Sequence, residues 1–122
     1  MQIEKPALLV EQLDKAFNEG DLEALLAFYE EAAVVVIEPG HTACGAVELR
    51  AFFARILKTG LSARQLKTHI IEADGIALFV SRWTLKGDAE RQFVATSVFR
   101  KQQNGRWKVL IDNPFGPAVL GD

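Results

Sequence analysis

The sequence predicts an α+β domain: helices first, then a long, strongly curved, mostly antiparallel sheet wrapped around them. Three observations carry this. The first sixty residues hold three segments with apolar residues at helical spacing. The second half alternates β-rich runs with short turn signals. The two textures are segregated along the chain, the pattern of helices packed on one face of a sheet.

The first segment, residues 5–19, sets Leu8, Leu9, Leu13, Ala16 and Phe17 on one helical stripe and stops at Asn18-Glu19-Gly20. Asp21 is suited to cap a second helix, Leu22 to about Glu30, with the stripe Leu22, Leu25, Leu26 and Tyr29. Val34, Val35, Val36 and Ile37 then read as a buried strand that Pro39-Gly40 terminates. After the GHTACG loop, Leu49, Phe52, Phe53, Ile56 and Leu57 mark a third helix, about Val47 to Lys58, with Gly60 as its C-cap glycine. Strands follow at Gln65–Ala73, Ile76–Lys86, Gln92–Lys101 and Arg106–Asn113. Asp74-Gly75, Gly87-Asp88 and Asn104-Gly105 are the hairpin turns between them.

Composition narrows the class. The 122 residues are 49% apolar and 25% charged, ordinary for one globular domain spanning 1–122. The longest apolar run, Ala32–Ile37, falls far short of the ~20 residues that a membrane helix needs. The N-terminus is charged by Glu4 and has no basic region followed by an apolar stretch, so it does not read as a secretory signal. With a single cysteine, Cys44, there is no internal disulfide framework and no Cys-based zinc site, and a reducing cytoplasm is the simplest address. The net charge of −2 argues against bulk nucleic-acid binding. Residues 1–40 carry nine acids and two bases; residues 41–122 carry seven acids and twelve bases, so acidic helices are expected to dock on a basic sheet, the alternative being a basic surface for an anionic ligand.

Four strings in order, FNEGDLEALLAFYEEAAVVV, GAVELRAFFARIL, DGIALFVSRWTLKG and NGRWKVLIDNPF, resemble the SnoaL-like branch of the nuclear transport factor two-like, ketosteroid-isomerase-like superfamily over about residues 5–115. The resemblance implies a cone-shaped sheet of the cystatin-like roll type, a small-molecule pocket inside the cone, and a homodimer through the outer sheet face. The superfamily holds isomerases, epoxide hydrolases, dehydratases, cyclases and association modules, and the fold does not choose among them.

Residue by residue, the resemblance suggests candidates. Steroid isomerases of this superfamily place a base at the end of the first strand, just before a proline, and Glu38-Pro39 matches it. Counting from Ala33 puts Ile37 there instead, and a one-residue slip reverses the face. The tyrosine position falls at Leu13 and the second Asp near Ser97, so that mechanism is not carried over intact. Limonene epoxide hydrolases use an Arg-x-Asp on a central strand and an Asp on the last one. Here Arg82-Trp83-Thr84 and Asp112 occupy those places, with Thr84 replacing one carboxylate. The catalytic candidates are therefore Glu38, Asp112 and Arg82, with Arg82 and Asp112 as a potential ion pair. Tyr29, Thr84, Ser97, His41 and Val80 are expected in the ligand pocket.

On the strand Ile76–Lys86, Leu78, Val80, Arg82 and Thr84 share one face and Ala77, Phe79, Ser81, Trp83 and Leu85 the other. By resemblance the Arg82 face looks into the pocket and the Trp83 face into the dimer. No residue spacing points to a metal site, nucleotide loop or organic cofactor. The expected chemistry is cofactor-free acid–base catalysis on a small apolar or carbonyl-bearing metabolite; the alternative is a non-catalytic binding or association module.

Overall fold

The computed structural model of the chain describes residues 5–121. The N-terminal residues read as lacking a signal, and the two ends of the 1–122 span, lie outside them. Helix α1 (Pro6–Glu19) begins with proline at its first turn and ends on Gly20 in the left-handed conformation. Helix α2 (Leu22–Ala27) is capped by Asp21, whose carboxylate accepts from the Ala24 amide at 3.1 Å. It stops earlier than its apolar stripe suggests, and the chain passes directly into β1 (Tyr29–Glu38). Tyr29 is therefore a strand residue. The GHTACG segment is not a loop: His41–Cys44 forms β2, paired with β1.

Helix α3 (Gly45–Leu57) follows, with Glu48 accepting from the Cys44 amide at 2.9 Å. The meander is β3 (Ser62–Ala73), β4 (Ile76–Lys86), β5 (Glu90–Lys101) and β6 (Trp107–Asp112). Asp74 and Gly75 both have positive φ, 50° and 77°, which makes the β3–β4 connection the two-residue turn whose twist suits a hairpin. A short 3-10 helix, Gly116–Leu120, ends the described chain.

The six strands form one curved sheet in the order β2-β1-β6-β5-β4-β3. All neighbours are antiparallel except β1 and β6, which run parallel. The strand order places β6, last in sequence, between the β1–β2 hairpin and the β3–β5 meander. The helices cover the concave face. Leu9, Leu25, Leu49 and Phe53 meet Val35, Phe79, Phe99, Trp107 and Val109 in a single core. Phe79 and Phe99 stack across β4 and β5 at 5.3 Å. Among the described residues no helix is long and apolar enough to cross a membrane.

Candidate functional site

Between the helices and the concave face lies a partly open cavity of about 210 Å³. Its wall is mostly apolar: Val10, Leu13 and Phe17 come from α1, Phe52 and Phe53 from α3, and Phe79 and Phe93 from the sheet. Trp83 stacks on Phe93 at 5.1 Å, and Phe115 meets Phe93 edge-on at 5.7 Å. The Trp83 indole N–H is fixed by donating to the Pro114 carbonyl at 2.9 Å. Into this surface project a few polar side chains: Asp14, Tyr29, Gln65, Ser81, Ser97 and Asp112.

Asp112 is the hub. The parallel β1–β6 register sets it beside Val35, with its side chain on the concave face. Tyr29 Oη donates to Asp112 Oδ2 at 2.6 Å, and Ser97 Oγ donates to Oδ1 at 3.2 Å. The Asn113 amide in turn donates to Ser97 Oγ at 3.2 Å. Burial pushes the Asp112 carboxyl above the usual carboxylate range, and the Tyr29 and Ser97 hydrogen bonds only partly offset this. Burial, and then the charge of Asp112, hold the Tyr29 phenol well above its ordinary value.

Asp14 is the second acid. It stands on α1 at the flank of the stripe that lines the cavity and accepts from Gln65 Nε2 at 3.4 Å. Burial raises its carboxyl from an ordinary 3.8 to about 6; the Gln65 hydrogen bond opposes the shift and the charge of Asp112 adds to it. Two carboxyls that repel each other in an apolar cavity tend to divide into one proton holder and one proton acceptor.

The structure thus brings Tyr29, Ser97 and Asp112 together and leaves the other five sequence candidates outside the cavity. The face assignment of β4 is reversed. Phe79, Ser81, Trp83 and Leu85 look inward, while Val80, Arg82 and Thr84 lie on the convex face. Burying the large aromatic side chains under the helices, and leaving a guanidinium in water, favours this phase. Arg82 and Asp112 are on opposite faces and form no pair. Thr84 is buried, but in a shallow convex hollow beside Arg64 and Lys86.

Glu38 is corrected for a related reason. The β1 register shifts between Val36 and Glu38, and it is Ile37 that borders the cavity. The Glu38 side chain is 68% exposed and sits 3.5 Å from His41, itself 62% exposed. Neither can reach the cavity as a base. Asp14, Gln65 and Ser81 are the polar cavity residues that the sequence reading missed, Ser81 because its face of β4 was assigned to the dimer. The available signal was the position of Asp14, four residues from Val10 and three from Phe17 on the buried stripe of α1. Among the described residues, no group of three or more His, Cys, Asp or Glu is placed to hold a metal ion.

The sequence profile of the SnoaL-like domain matches residues 10–110. The chain belongs to the SnoaL-like family. No curated protein matches the sequence significantly. Solved structures share the fold of this SnoaL-like chain at low identity. A candidate ketosteroid isomerase from Shewanella frigidimarina superposes with a TM-score of 0.77 at 19% identity, over 86% of this chain and 89% of its own. A candidate dehydratase of the NTF2-like family from Streptomyces avermitilis gives 0.73 at 22%, over 90% and 91%. A candidate calcium/calmodulin-dependent protein kinase type II association domain from Thiobacillus denitrificans gives 0.77 at 16%, over 93% and 95%. These likenesses establish the fold and leave the chemistry to the side chains.

Proposed function

We propose that the cavity binds a small apolar, carbonyl-bearing metabolite and performs cofactor-free proton transfer on it, in the manner of an isomerase, hydrolase or cyclase. The observation that carries this is the convergence of Asp14 and the Tyr29–Asp112 pair on one mostly apolar cavity. Asp14 is the base. With its carboxyl at about 6, it is mostly ionised at neutral pH yet basic enough to take a proton next to a carbonyl. Asp112 is the acceptor that holds Tyr29 in place: on substrate binding the Tyr29 O–H turns from the carboxylate to the substrate carbonyl oxygen, and Ser97 stays on Asp112. The developing enolate is then stabilised by a hydrogen bond in a low-dielectric site, and Asp14 returns its proton at the product carbon.

The test uses 1-tetralone, an apolar bicyclic ketone, in D2O, with deuterium uptake next to the carbonyl followed by NMR. Exchange is expected to exceed the buffer rate in proportion to protein. It should fall on the order of a hundredfold in Asp14→Asn, the lower range for a lost general base. Glu38→Gln and Arg82→Ala should exchange as fast as wild type. If equilibrium dialysis shows the ketone bound but exchange stays at the buffer rate, the site is a binding module and the catalytic reading is refuted.

The convex face supports a second role, self-association. Ile71, Leu78, Val98 and Ile111 lie side by side across β3, β4, β5 and β6. Three of them, Ile71, Leu78 and Ile111, are 54%, 40% and 42% exposed. A contiguous apolar row of this kind is suited to cover a second copy of itself. The proposed working unit is thus a homodimer of one-domain chains, each with its own cavity. The single cysteine, exposed as a free thiol, accords with a reducing cytoplasm.

A further inference from the structure

Two polar atoms on the cavity wall have no hydrogen-bond partner among the described residues. One is Gln65 Oε1 and the other is Ser81 Oγ, and both are buried. Gln65 is held in one orientation because its Nε2 donates to Asp14 Oδ1, which aims the carbonyl end of the amide away from that contact. Ser81 is 2% exposed and points inward from β4. The two are neighbours in the sheet: Gln65 pairs with Trp83, two residues along from Ser81. A register shift between Gln65 and Lys67 turns the β3 side chains so that Gln65 faces the cavity. Buried polar atoms are nearly always paired, and unpaired ones in a ligand-sized cavity mark where a partner completes them.

We propose that Gln65 Oε1 and Ser81 Oγ form a subsite for a hydroxyl group carried by the ligand. The substrate class is then a hydroxylated apolar compound, a phenol or a hydroxy-ketone. The chemistry follows from the donor inventory. An amide oxygen only accepts, so the ligand must present an O–H or N–H there. A serine hydroxyl both donates and accepts, and a ligand hydroxyl meets both needs with one atom. A neutral hydroxyl also avoids bringing a further charge into an apolar cavity. The inference rests on the small-molecule reading of the cavity and adds the group by which the ligand is oriented relative to Asp14.

The experiment measures dissociation constants for 2-naphthol and its isostere 2-methylnaphthalene by equilibrium dialysis. The methyl compound is the more hydrophobic, so burial alone favours it. The proposal expects 2-naphthol to bind about tenfold more tightly, the equivalent of one to two net hydrogen bonds. In the double variant Gln65→Leu/Ser81→Ala the preference should vanish or reverse. The double variant removes both unpaired oxygens and also the Gln65 Nε2 donor to Asp14, so Ser81→Ala alone, which leaves that contact in place, is measured beside it and should lose part of the preference. Equal binding of the two ligands by wild type overturns the proposal, as would solvent being the resident partner of both atoms. A preference that survives in the double variant overturns it as well. If neither compound binds, the small-molecule reading itself fails, and the subsite falls with it.

Discussion

Replacing Asp14 by asparagine is expected to make the protein more stable at neutral pH and about a hundredfold less active. Asp14 titrates at about 6 in the fold against an ordinary 3.8. A raised carboxyl binds its proton more tightly in the folded state than in the unfolded one. Its favourable contribution is therefore complete below about pH 3.8 and is lost as the pH rises through about 6. The difference is about two pH units, and each unit is worth about 1.4 kcal/mol, so ionised Asp14 destabilises the fold at pH 7.5 by up to about 3 kcal/mol. Residual solvent contact at Asp14 makes this an upper value. The asparagine keeps the shape and the contact with Gln65 but carries no charge, and it also relieves the repulsion felt by Asp112. The assay is urea denaturation of both proteins from pH 3.5 to 8. The stability difference between variant and wild type should grow across pH 4 to 7 in favour of the variant. Comparing the two proteins cancels groups that titrate identically in both. A difference that stays constant across this range would refute the assignment of a buried, proton-retaining carboxyl. A difference that grew without loss of deuterium exchange would keep the electrostatics and refute the base.

Two other outcomes follow from contacts already described. Tyr29→Phe removes the 2.6 Å donor from Asp112 and leaves Ser97 as its hydroxyl partner. The Asp112 carboxyl should then titrate higher by carbon NMR, and stability at neutral pH should fall by about 1–3 kcal/mol; an unmoved titration would mean that the pair is not formed. Leu78→Arg places a charge in the middle of the convex apolar row and should convert a dimer to a folded monomer in sedimentation velocity; a variant that still runs as a dimer would exclude this face as the interface.

Much of the fold was legible in residue order, because turns and periodicity are local. Asp74-Gly75 marks its hairpin through two residues that accept positive φ, and the strand Ile76–Lys86 was read with its observed bounds. The face of that strand was not legible. Leu78 and Val80 on one side and Phe79 and Trp83 on the other are both apolar, so alternation alone does not say which side meets the helices. Tyr29, Ser97 and Asp112 were each named, but Tyr29 and Asp112 are 83 residues apart and meet only through the parallel β1–β6 pairing. Asp14 was hidden by its type: an acid beside a helix stripe reads as solvated, and only the packed cavity makes it unusual. Glu38 illustrates the reverse. Its Glu-Pro dipeptide matched the motif, but the irregular end of β1 gave the inward place to Ile37.

The position of β6 sets an order of events for a chain emerging from the ribosome. The β1–β2 hairpin and the β3–β5 meander can each pair with near neighbours as soon as they appear. Neither can join the other until Trp107–Asp112 has been made, because that segment is the seam between them. Until then the hairpin and the meander each present an unfilled edge where β6 will pair, the kind of edge that invites pairing with another chain. Closing the seam late requires contacts between distant parts of the sequence, which slows folding. The same closing step brings Asp112 to Tyr29, so an incomplete chain lacks the Tyr29–Asp112 hydrogen bond as well as the continuous sheet.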